Sequence, residues 1–180
     1  PMVKYRIAGA DARDYLDRLT LRTIAKLKVG HVHYTAWCDD DGKVLDDGTL
    51  FRHGEAEFLL CCQERHLPWL LDSSIGYDVE IVEVSEAIAA LALQGPCSFA
   101  VLKAAGLAGA GALKPFQMAD FDLGTAGKLT ISRTGFTGDL GYELWTTPDR
   151  ALALWDRLFE AGALFGLRPI GTNALDLARI

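Results

Sequence analysis

Hydrophobic and polar residues alternate along several short segments in the first half of the chain, and turns rich in glycine or acidic residues separate them. Alternation with a period of two is typical of strands that bury one face. It predicts strands at Val3–Ile7, His31–Cys38, Lys43–Arg52, Glu57–Cys62 and Tyr77–Val84. Ala12–Leu19 has apolar residues at helical spacing behind Asp11, a candidate N-cap, and Leu67–Leu71 indicates a short helix.

The second half of the chain repeats this order of patterns. Its predicted strands are Ala87–Leu93, Phe116–Asp122, Lys128–Arg133 and Gly141–Thr146. Two helices are predicted, at Ser98–Ala105 and Arg150–Ala161. The second of these helices is expected to bury one apolar side, formed by Leu152, Trp155, Leu158 and Phe159.

The two halves resemble each other. Gly9 and Gly95 each lie between a strand and a helix, and Trp69 and Trp155 lie in the last helix of their half at the same separation. This indicates an internal repeat, with chance similarity of composition as the alternative. Each half is predicted as strand, helix, three strands, helix and final strand. We therefore expect an α+β fold in two related domains, residues 1–85 and 86–180, with mostly antiparallel sheets flanked by helices.

Composition excludes several classes of protein. The 180 residues are 50% hydrophobic, and a chain of this composition can fill a packed core rather than remain disordered. The net charge of −6 argues against a surface for nucleic acid or anionic membranes, which needs a basic excess. No apolar run approaches the roughly 20 residues of a membrane span. We therefore expect no nucleic-acid partner and no membrane partner.

The cysteine and histidine residues do not form a recognisable metal motif. Cys38, Cys61, Cys62 and Cys97 include no Cys-x-x-Cys pair, so buried structural thiols in a reducing, cytoplasmic compartment are expected. His31 and His33 share a strand face, which makes a metal conceivable. Half-exposed strand histidines are the commoner explanation, and no metal is predicted.

The ends of the sequence are unusual for a complete protein. A proline precedes the methionine at position 2, and the chain stops inside the patterned segment Asp176–Ile180 without a cap or polar tail. We expect that the chain is part of a longer protein, with contacts to parts before Pro1 and after Ile180. The chain by itself is expected to fold but not to catalyse the reaction of that protein.

Two adjacent carboxylates stand out in the segment Tyr34–Gly48. Asp46 and Asp47 lie in a predicted strand, where the pleat directs neighbouring side chains to opposite faces. One of the two must therefore point toward the apolar face, where an unpaired charge is costly. The pattern leaves two interpretations open, a functional site and an exposed turn.

A glycine-rich segment, Ser132–Leu144, is the second unusual feature. Gly135, Gly138 and Gly141 form a tight loop between two predicted strands, where backbone can approach a flat ligand closely. Glu143 then places a carboxylate just inside the next strand. Taken alone, this segment predicts a hairpin with one charged strand residue.

In this order, these segments resemble the aminomethyltransferase family, which comprises the T protein of the glycine cleavage system and its tetrahydrofolate-dependent relatives. The family has a tyrosine-containing strand, here with Tyr34, followed by a hairpin that ends in two aspartates, here Gly42–Asp47. It also has a Leu-Gln-Gly-Pro turn, here Leu93–Pro96, and a glycine loop, here Arg133–Glu143. A final motif corresponds to Gly171–Arg179, so the similarity covers nearly the whole chain.

The resemblance implies a tetrahydrofolate site and assigns residues to it. Asp47 corresponds to the catalytic carboxylate near the pterin, and Tyr34 to the tyrosine that lies along the folate. Counting from Asp47 places the pterin-recognising amide at Gln63, where the T protein has asparagine. Glu143 corresponds to the glutamate that hydrogen-bonds the pterin edge, and Phe136 replaces a loop tyrosine while keeping a ring that can stack. Carboxylate and amide groups suit the donors and acceptors of a pterin.

Departures from the family pattern bear on the methyl or aminomethyl donor. The T protein has a folate-contacting arginine where this chain has Leu175, which favours the demethylase relatives, such as dimethylsulfoniopropionate demethylase. Two interpretations of Trp37 are open, a ring facing a cationic methyl donor and a core tryptophan, and the core position is favoured. The expected activity is transfer of a one-carbon unit from a small-molecule donor to tetrahydrofolate. Two further possibilities are a folate-dependent module of a sarcosine- or dimethylglycine-type flavin-linked oxidase and a non-catalytic folate-binding protein.

Overall fold

The computed structural model describes residues 2–124 and 127–179. These residues form two compact units, one ending at Ser85 and the other beginning at Glu86. Each unit has one antiparallel sheet. None of the helices in the described ranges is long and apolar enough to cross a membrane.

The first unit has five strands and two α-helices within residues 2–85. Its elements are β1 (Val3–Ala8), α1 (Ala12–Leu19), β2 (Val32–Cys38), β3 (Val44–Arg52), β4 (Glu57–Cys62), α2 (Leu67–Ser73) and β5 (Glu80–Glu83). The strands lie in the order β2-β3-β4-β1-β5, and each pairs with its neighbours in the antiparallel direction. Pro68 lies in the first turn of α2, where a missing N–H costs no helical hydrogen bond.

One face of this sheet packs against α1 and α2 and forms the core of the unit. Tyr5, Trp37 and Leu60 are fully buried there, together with Leu16 of α1 and Leu70 of α2. Burying each side chain of this size contributes roughly 1.5–3 kcal/mol. The two helices are also linked directly, because the Tyr15 hydroxyl donates a hydrogen bond to the Leu70 carbonyl at 2.8 Å. The predicted strands and helices of this unit are present, and two details differ.

Both differences arise at one contact between Asp11 and Asp78. Asp11 precedes α1, but its side chain does not cap the helix: its Oδ2 accepts the backbone N–H of Asp78 at 2.8 Å. The Asp11 N–H in turn donates to the Asp78 carbonyl at 3.2 Å. Because this exchange fixes the backbone around Asp78 as a turn, β5 begins at Glu80 and not at Tyr77. Gly9 lies beside the same turn, where a Cβ would be 2.2 Å from the Asp78 carbonyl oxygen.

The position of Trp37 distinguishes the two interpretations of this residue, a ring facing the donor and a core tryptophan. Trp37 is fully buried in the core of the first unit. Its ring packs edge-on against His66, with 5.7 Å between the ring centroids. A side chain without exposed surface presents no ring to a donor, so Trp37 is a core residue, as the favoured alternative held.

The second unit has four strands and three α-helices in the described residues. Its elements are β6 (Ala89–Gln94), α3 (Ser98–Ala104), β7 (Met118–Asp122), β8 (Lys128–Ser132), β9 (Gly141–Thr146), α4 (Pro148–Gly162) and α5 (Thr172–Arg179). The strands lie in the order β6-β9-β8-β7. In the first sheet, β5 pairs with β1 at the edge. In the second sheet, no strand of the described residues pairs with β6 at the equivalent edge, and α5 ends the described chain.

The core of the second unit lies between this sheet and the helices α3 and α4. Leu102 of α3, Leu144 of β9 and Leu158 of α4 are buried there. The predicted apolar side of α4 is wrong in part, because Leu152 and Trp155 are 70% and 40% exposed. The helix buries Leu154, Leu158 and Gly162 instead, which recur at four-residue spacing on one face.

The four cysteines are free thiols, and they differ in exposure. Cys61 and Cys62 are buried in β4, Cys38 is half-buried, and Cys97 is exposed before α3. The prediction of buried thiols is therefore wrong for Cys97. Burial raises the pKa of the Cys62 thiol to about 12, so this thiol is protonated at neutral pH.

Candidate functional site

Tyr34 and Asp47 meet on the face of the first sheet that is opposite the helices. Register pairs Ala36 with Asp47 and Tyr34 with Thr49, so Tyr34 and Asp47 are diagonal neighbours on one face of β2 and β3. The Tyr34 hydroxyl donates a hydrogen bond to Asp47 Oδ2. Tyr34 is 45% exposed and Asp47 is also exposed, so both side chains are accessible to a ligand.

Asp46, the preceding residue, points to the opposite face and has a different environment. Its side chain is only 8% exposed. Its Oδ1 accepts the backbone N–H of Asp47 at 2.8 Å, and its Oδ2 accepts that of Glu64 at 3.0 Å. The Nε2 atom of His66 lies 3.3 Å from the same Oδ2. The carboxylate that must face the apolar side is therefore Asp46, and backbone donors compensate its burial.

Gln63 directly follows β4. The last pair between β3 and β4 joins Gly48 to Cys62, so Gln63 and Asp47 are the residues immediately beyond this pair on their two chain segments. Gln63 is exposed, and its neighbour Glu64 is held by Asp46. The Asp46 carboxylate thus fixes the backbone on both sides of the candidate site, at Asp47 and next to Gln63.

Gly48 allows β3 and β4 to approach closely beside this site. A Cβ at Gly48 would lie 2.1 Å from the Cys61 carbonyl oxygen, well inside any normal contact. Its backbone is not in the left-handed region, so the requirement for glycine is one of space. Sequence analysis did not identify this close approach of the two strands.

The glycine loop of the second unit is packed on Gln94, the last residue of β6. A Cβ at Gly135 would lie 2.1 Å from Gln94 Oε1, and one at Gly141 would lie 2.2 Å from the same atom. The Thr137 hydroxyl donates to this oxygen at 3.4 Å. Two sequence segments that were singled out separately, the Leu-Gln-Gly-Pro turn and the glycine loop, therefore form one packed structure.

Phe136 lies at the tip of this loop, and Arg179 holds it. The ring is 39% exposed. The Arg179 guanidinium lies over it at 4.2 Å from the ring centroid, and its Nη1 donates to the Phe136 carbonyl at 2.8 Å. Sequence analysis noted Arg179 only as the end of a motif. The structure adds a specific contact that orients Phe136.

Glu143, on β9, is partly buried and bonded to Thr134. The Thr134 hydroxyl donates to Glu143 Oε2 at 2.5 Å. Burial raises the pKa of Glu143, and the hydrogen bond from Thr134 lowers it, with burial the larger effect. Thr134 was not singled out by sequence analysis, although its position directly before Gly135 in the glycine loop was a possible signal.

Leu175 lines an apolar cavity of the second unit. The cavity, of about 520 Å³, runs along β6 and includes Leu91, Trp155, Phe165 and Ile170. Leu175 offers no hydrogen-bonding group to a ligand there.

The predicted site residues thus fall into two groups, each within one unit. Tyr34 and Asp47 are hydrogen-bonded in the first unit, where Gln63 directly follows β4, and Phe136 and Glu143 lie on the glycine loop and adjoining strand of the second. No cluster of three or more histidine, cysteine or acidic side chains suited to a metal occurs within residues 2–124 and 127–179.

Comparison with known sequences finds similarity to one family over nearly the whole chain. The family model described as GCVT N-terminal domain matches residues 1–180. A protein named aminomethyltransferase from Bacillus subtilis (strain 168) is 37% identical over 182 residues, which cover 99% of this chain and 50% of the relative. Another of that name, from Halothermothrix orenii, is 37% identical over 97% of this chain and 49% of the relative. The chain therefore spans about half the length of these curated relatives.

Comparison with solved structures agrees with the sequence matches. The glycine cleavage system aminomethyltransferase T from Bartonella henselae matches with a TM-score of 0.84 and 27% identity, over 99% of this chain and 48% of that one. A chain of heterotetrameric sarcosine oxidase from Corynebacterium sp. U-96 matches with a TM-score of 0.66 and 17% identity, over 94% of this chain and 84% of that one. The second similarity is one of fold alone.

Proposed function

The chain belongs to the GCVT N-terminal domain family, and from this premise we propose that it carries the tetrahydrofolate-binding and catalytic residues of a one-carbon transferase. The predicted family and the α+β fold are confirmed by these comparisons. The relatives are named aminomethyltransferase, which supports transfer of a one-carbon unit as the activity of the protein to which the chain belongs.

The hydrogen-bonded pair of Tyr34 and Asp47 is the observation that carries this proposal. Both side chains are accessible, and the phenol holds the carboxylate at one oxygen. In the proposal, the Tyr34 ring lies along the folate, and Asp47 approaches the nitrogen that accepts the one-carbon unit. Gln63 supplies an amide for the pterin at the neighbouring position.

Asp47 acts in this mechanism on the nitrogen N5 of tetrahydrofolate. A fixed carboxylate steers the protonation of that nitrogen or stabilises positive charge that develops during transfer. Holding the donor carbon and N5 in line contributes several kcal/mol more. The bond between Asp46 and the Asp47 N–H supports this role, because it limits the movement of the backbone that carries the catalytic group.

Glu143 and Phe136 supply the remaining ligand contacts in the proposal. The Glu143 carboxylate accepts hydrogen bonds from the pterin edge, and the exposed ring of Phe136 stacks on a flat part of the ligand. The guanidinium of Arg179 over the other side of that ring supports this assignment, because it restricts Phe136 to one orientation before the ligand binds.

The one-carbon donor is either an aminomethyl or a methyl compound. The names of the relatives favour the aminomethyl donor. Leu175 favours a small methyl donor and a demethylase, because it removes the arginine of the T protein and lines an apolar cavity. Incubating the intact protein that carries this chain with tetrahydrofolate and a donor panel distinguishes the two, since the folate product carries a methylene or a methyl group of different mass. Four free thiols support a cytoplasmic location for either activity.

Calorimetric titration of the chain with tetrahydrofolate tests the proposed site. We expect saturable binding that Tyr34→Phe weakens, whereas Asp47→Asn leaves binding largely intact and strongly reduces turnover in the intact protein. Asp41→Asn is the matched control, because its carboxylate is 76% exposed in the β2–β3 turn. Absence of binding, or unchanged turnover in Asp47→Asn, would contradict the assignment.

A further inference from the structure

We propose that Trp145, Ser132 and Thr134 form a hydrogen-bonded relay that positions the Glu143 carboxylate, so that one of its oxygens is fixed and the other is presented to an N–H donor of the ligand. The ligand contact rests on the proposed function, whereas the relay is a property of the protein alone. These three residues are positioning residues, since each acts through Glu143.

The relay lies on one face of β8 and β9 and in the first residues of the loop between them. Register pairs Ser132 with Glu143 and Thr130 with Trp145, so Glu143 and Trp145 are successive positions on the same face of β9. The Trp145 Nε1 atom donates to Ser132 Oγ at 3.1 Å. Ser132 Oγ lies 2.7 Å from Thr134 Oγ1, which donates to Glu143 Oε2 at 2.5 Å.

The chemistry of the four groups fixes the direction of every hydrogen bond. An indole N–H only donates, so Ser132 Oγ is the acceptor at the first step. Thr134 has one proton, and it is used in the bond to Glu143. The bond between the two hydroxyls must therefore run from Ser132 to Thr134. All three bonds point toward the carboxylate, and each strengthens the next by polarisation.

Burial makes such a relay necessary at this position. Ser132 is fully buried, while Thr134 and Trp145 are 7% and 8% exposed, so water does not replace these donors easily. Burial raises the pKa of Glu143, and the Thr134 hydrogen bond is the interaction that opposes it. The relay thus favours the ionised form at the oxygen Oε2, among the groups that the structure describes. Oε1 then serves as the acceptor for a ligand N–H group.

The glycine loop explains why this arrangement is specific to the site. Thr134 immediately precedes Gly135, whose position against Gln94 allows no side chain. The packing of the loop therefore fixes the backbone that carries the Thr134 hydroxyl. Trp145 fixes one end of the relay through its bond to Ser132, and the packing of the loop on Gln94 fixes Thr134. The Glu143 carboxylate therefore has one orientation before a ligand binds.

Nuclear magnetic resonance of the ¹⁵N-labelled chain tests the relay without a ligand. The indole N–H resonance of Trp145, assigned with Trp145→Phe, is expected to move in Thr134→Val and in Glu143→Gln. Thr134→Ser should restore the wild-type position, because serine keeps the hydroxyl. Thr130→Val is the matched control on the same face, since the Thr130 hydroxyl bonds Asp120 instead. An indole resonance that is unmoved by both Thr134→Val and Glu143→Gln in folded protein would overturn the relay.

Calorimetry with tetrahydrofolate tests the consequence for the site. Thr134→Val should raise the Kd about tenfold, which corresponds to the loss of one hydrogen bond to a charged group. Thr134→Ser and Thr130→Val should remain within about threefold of the wild type, and Glu143→Gln combined with Thr134→Val should be less than additive. If wild-type chain binds no tetrahydrofolate, the proposed function fails, and the indole resonance still decides the relay. A wild-type Kd in Thr134→Val would overturn the positioning role.

Discussion

The Asp46 carboxylate accepts the backbone N–H of Glu64 at 3.0 Å, across 18 positions of sequence. The same carboxylate accepts the N–H of Asp47 through its other oxygen. One buried side chain therefore joins β3 to the bend after β4, where Gln63 lies. The two neighbouring aspartates have separate tasks: Asp46 holds the backbone, and Asp47 remains accessible beside Tyr34.

Asp46→Asn is expected to lower the free energy of unfolding by about 1–3 kcal/mol, because the amide nitrogen of a buried side chain would face one of the two backbone N–H donors. Urea denaturation followed by circular dichroism measures this change. Asp41→Asn removes an exposed carboxylate from the neighbouring turn and should change stability by less than about 0.5 kcal/mol. Equal effects of the two substitutions would show that Asp46 is not a structural anchor.

Gly48→Ala is expected to destabilise the first unit by about 1–3 kcal/mol or more, since its Cβ would overlap the Cys61 carbonyl oxygen at 2.1 Å. The backbone of two paired strands would have to separate to relieve this contact. Gly54→Ala is the matched control, because its Cβ would meet Glu57 Cβ at an ordinary 3.6 Å. Thermal unfolding that ranks the two variants equally would contradict the close approach of β3 and β4.

Alternation along the chain was sufficient to predict the nine strands and the helices α1 to α4 of the described residues, because period-two and helical spacing depend on local residues only. It did not predict α5. Alternation could not show which face of each strand or helix is buried. Trp37 and Asp46 are neighbours across β2 and β3 on the core face, and only the position of α1 and α2 determines that this face is buried. The same limit explains why Trp155, although apolar, remains 40% exposed on α4.

The candidate site was predictable where a sequence segment resembles a family motif and not where long-range contacts matter. The position of Asp47 follows from the motif. The structural role of Asp46, which distinguishes it from Asp47, depends on its hydrogen bond to Glu64, which lies just after the end of β4. The relay to Glu143 depends likewise on the register of β8 and β9, which places Ser132 beside Glu143. Pairing of distant segments leaves no local signal in sequence.

Gly141→Ala is expected to destabilise the second unit, because its Cβ would lie 2.2 Å from Gln94 Oε1 and 2.5 Å from Gln94 Cδ. Truncating the amide in Gln94→Ala removes those atoms and leaves space for the new methyl group. The double variant should therefore be more stable than the sum of the two single changes predicts, by about 1 kcal/mol or more. Urea unfolding of the four proteins completes the cycle, and strict additivity would show that Gln94 does not pack against this glycine.

Glu143→Gln is expected to be more stable than the wild type at neutral pH, and this advantage is expected to shrink in acid. The reason is that burial raises the pKa of Glu143 above its ordinary value of 4.5. A raised pKa in the folded state means that the folded protein binds the proton more tightly, so the contribution of Glu143 to stability is fully present below pH 4.5 and is lost as pH rises through the folded pKa. The neutral amide avoids this loss and still accepts the Thr134 hydroxyl. Urea unfolding of both proteins at neutral and at acidic pH measures the difference, with Glu57→Gln, on an exposed position of β4, as the control for removing one negative charge. An advantage of Glu143→Gln that is independent of pH would show that the carboxyl group is well solvated in the folded protein.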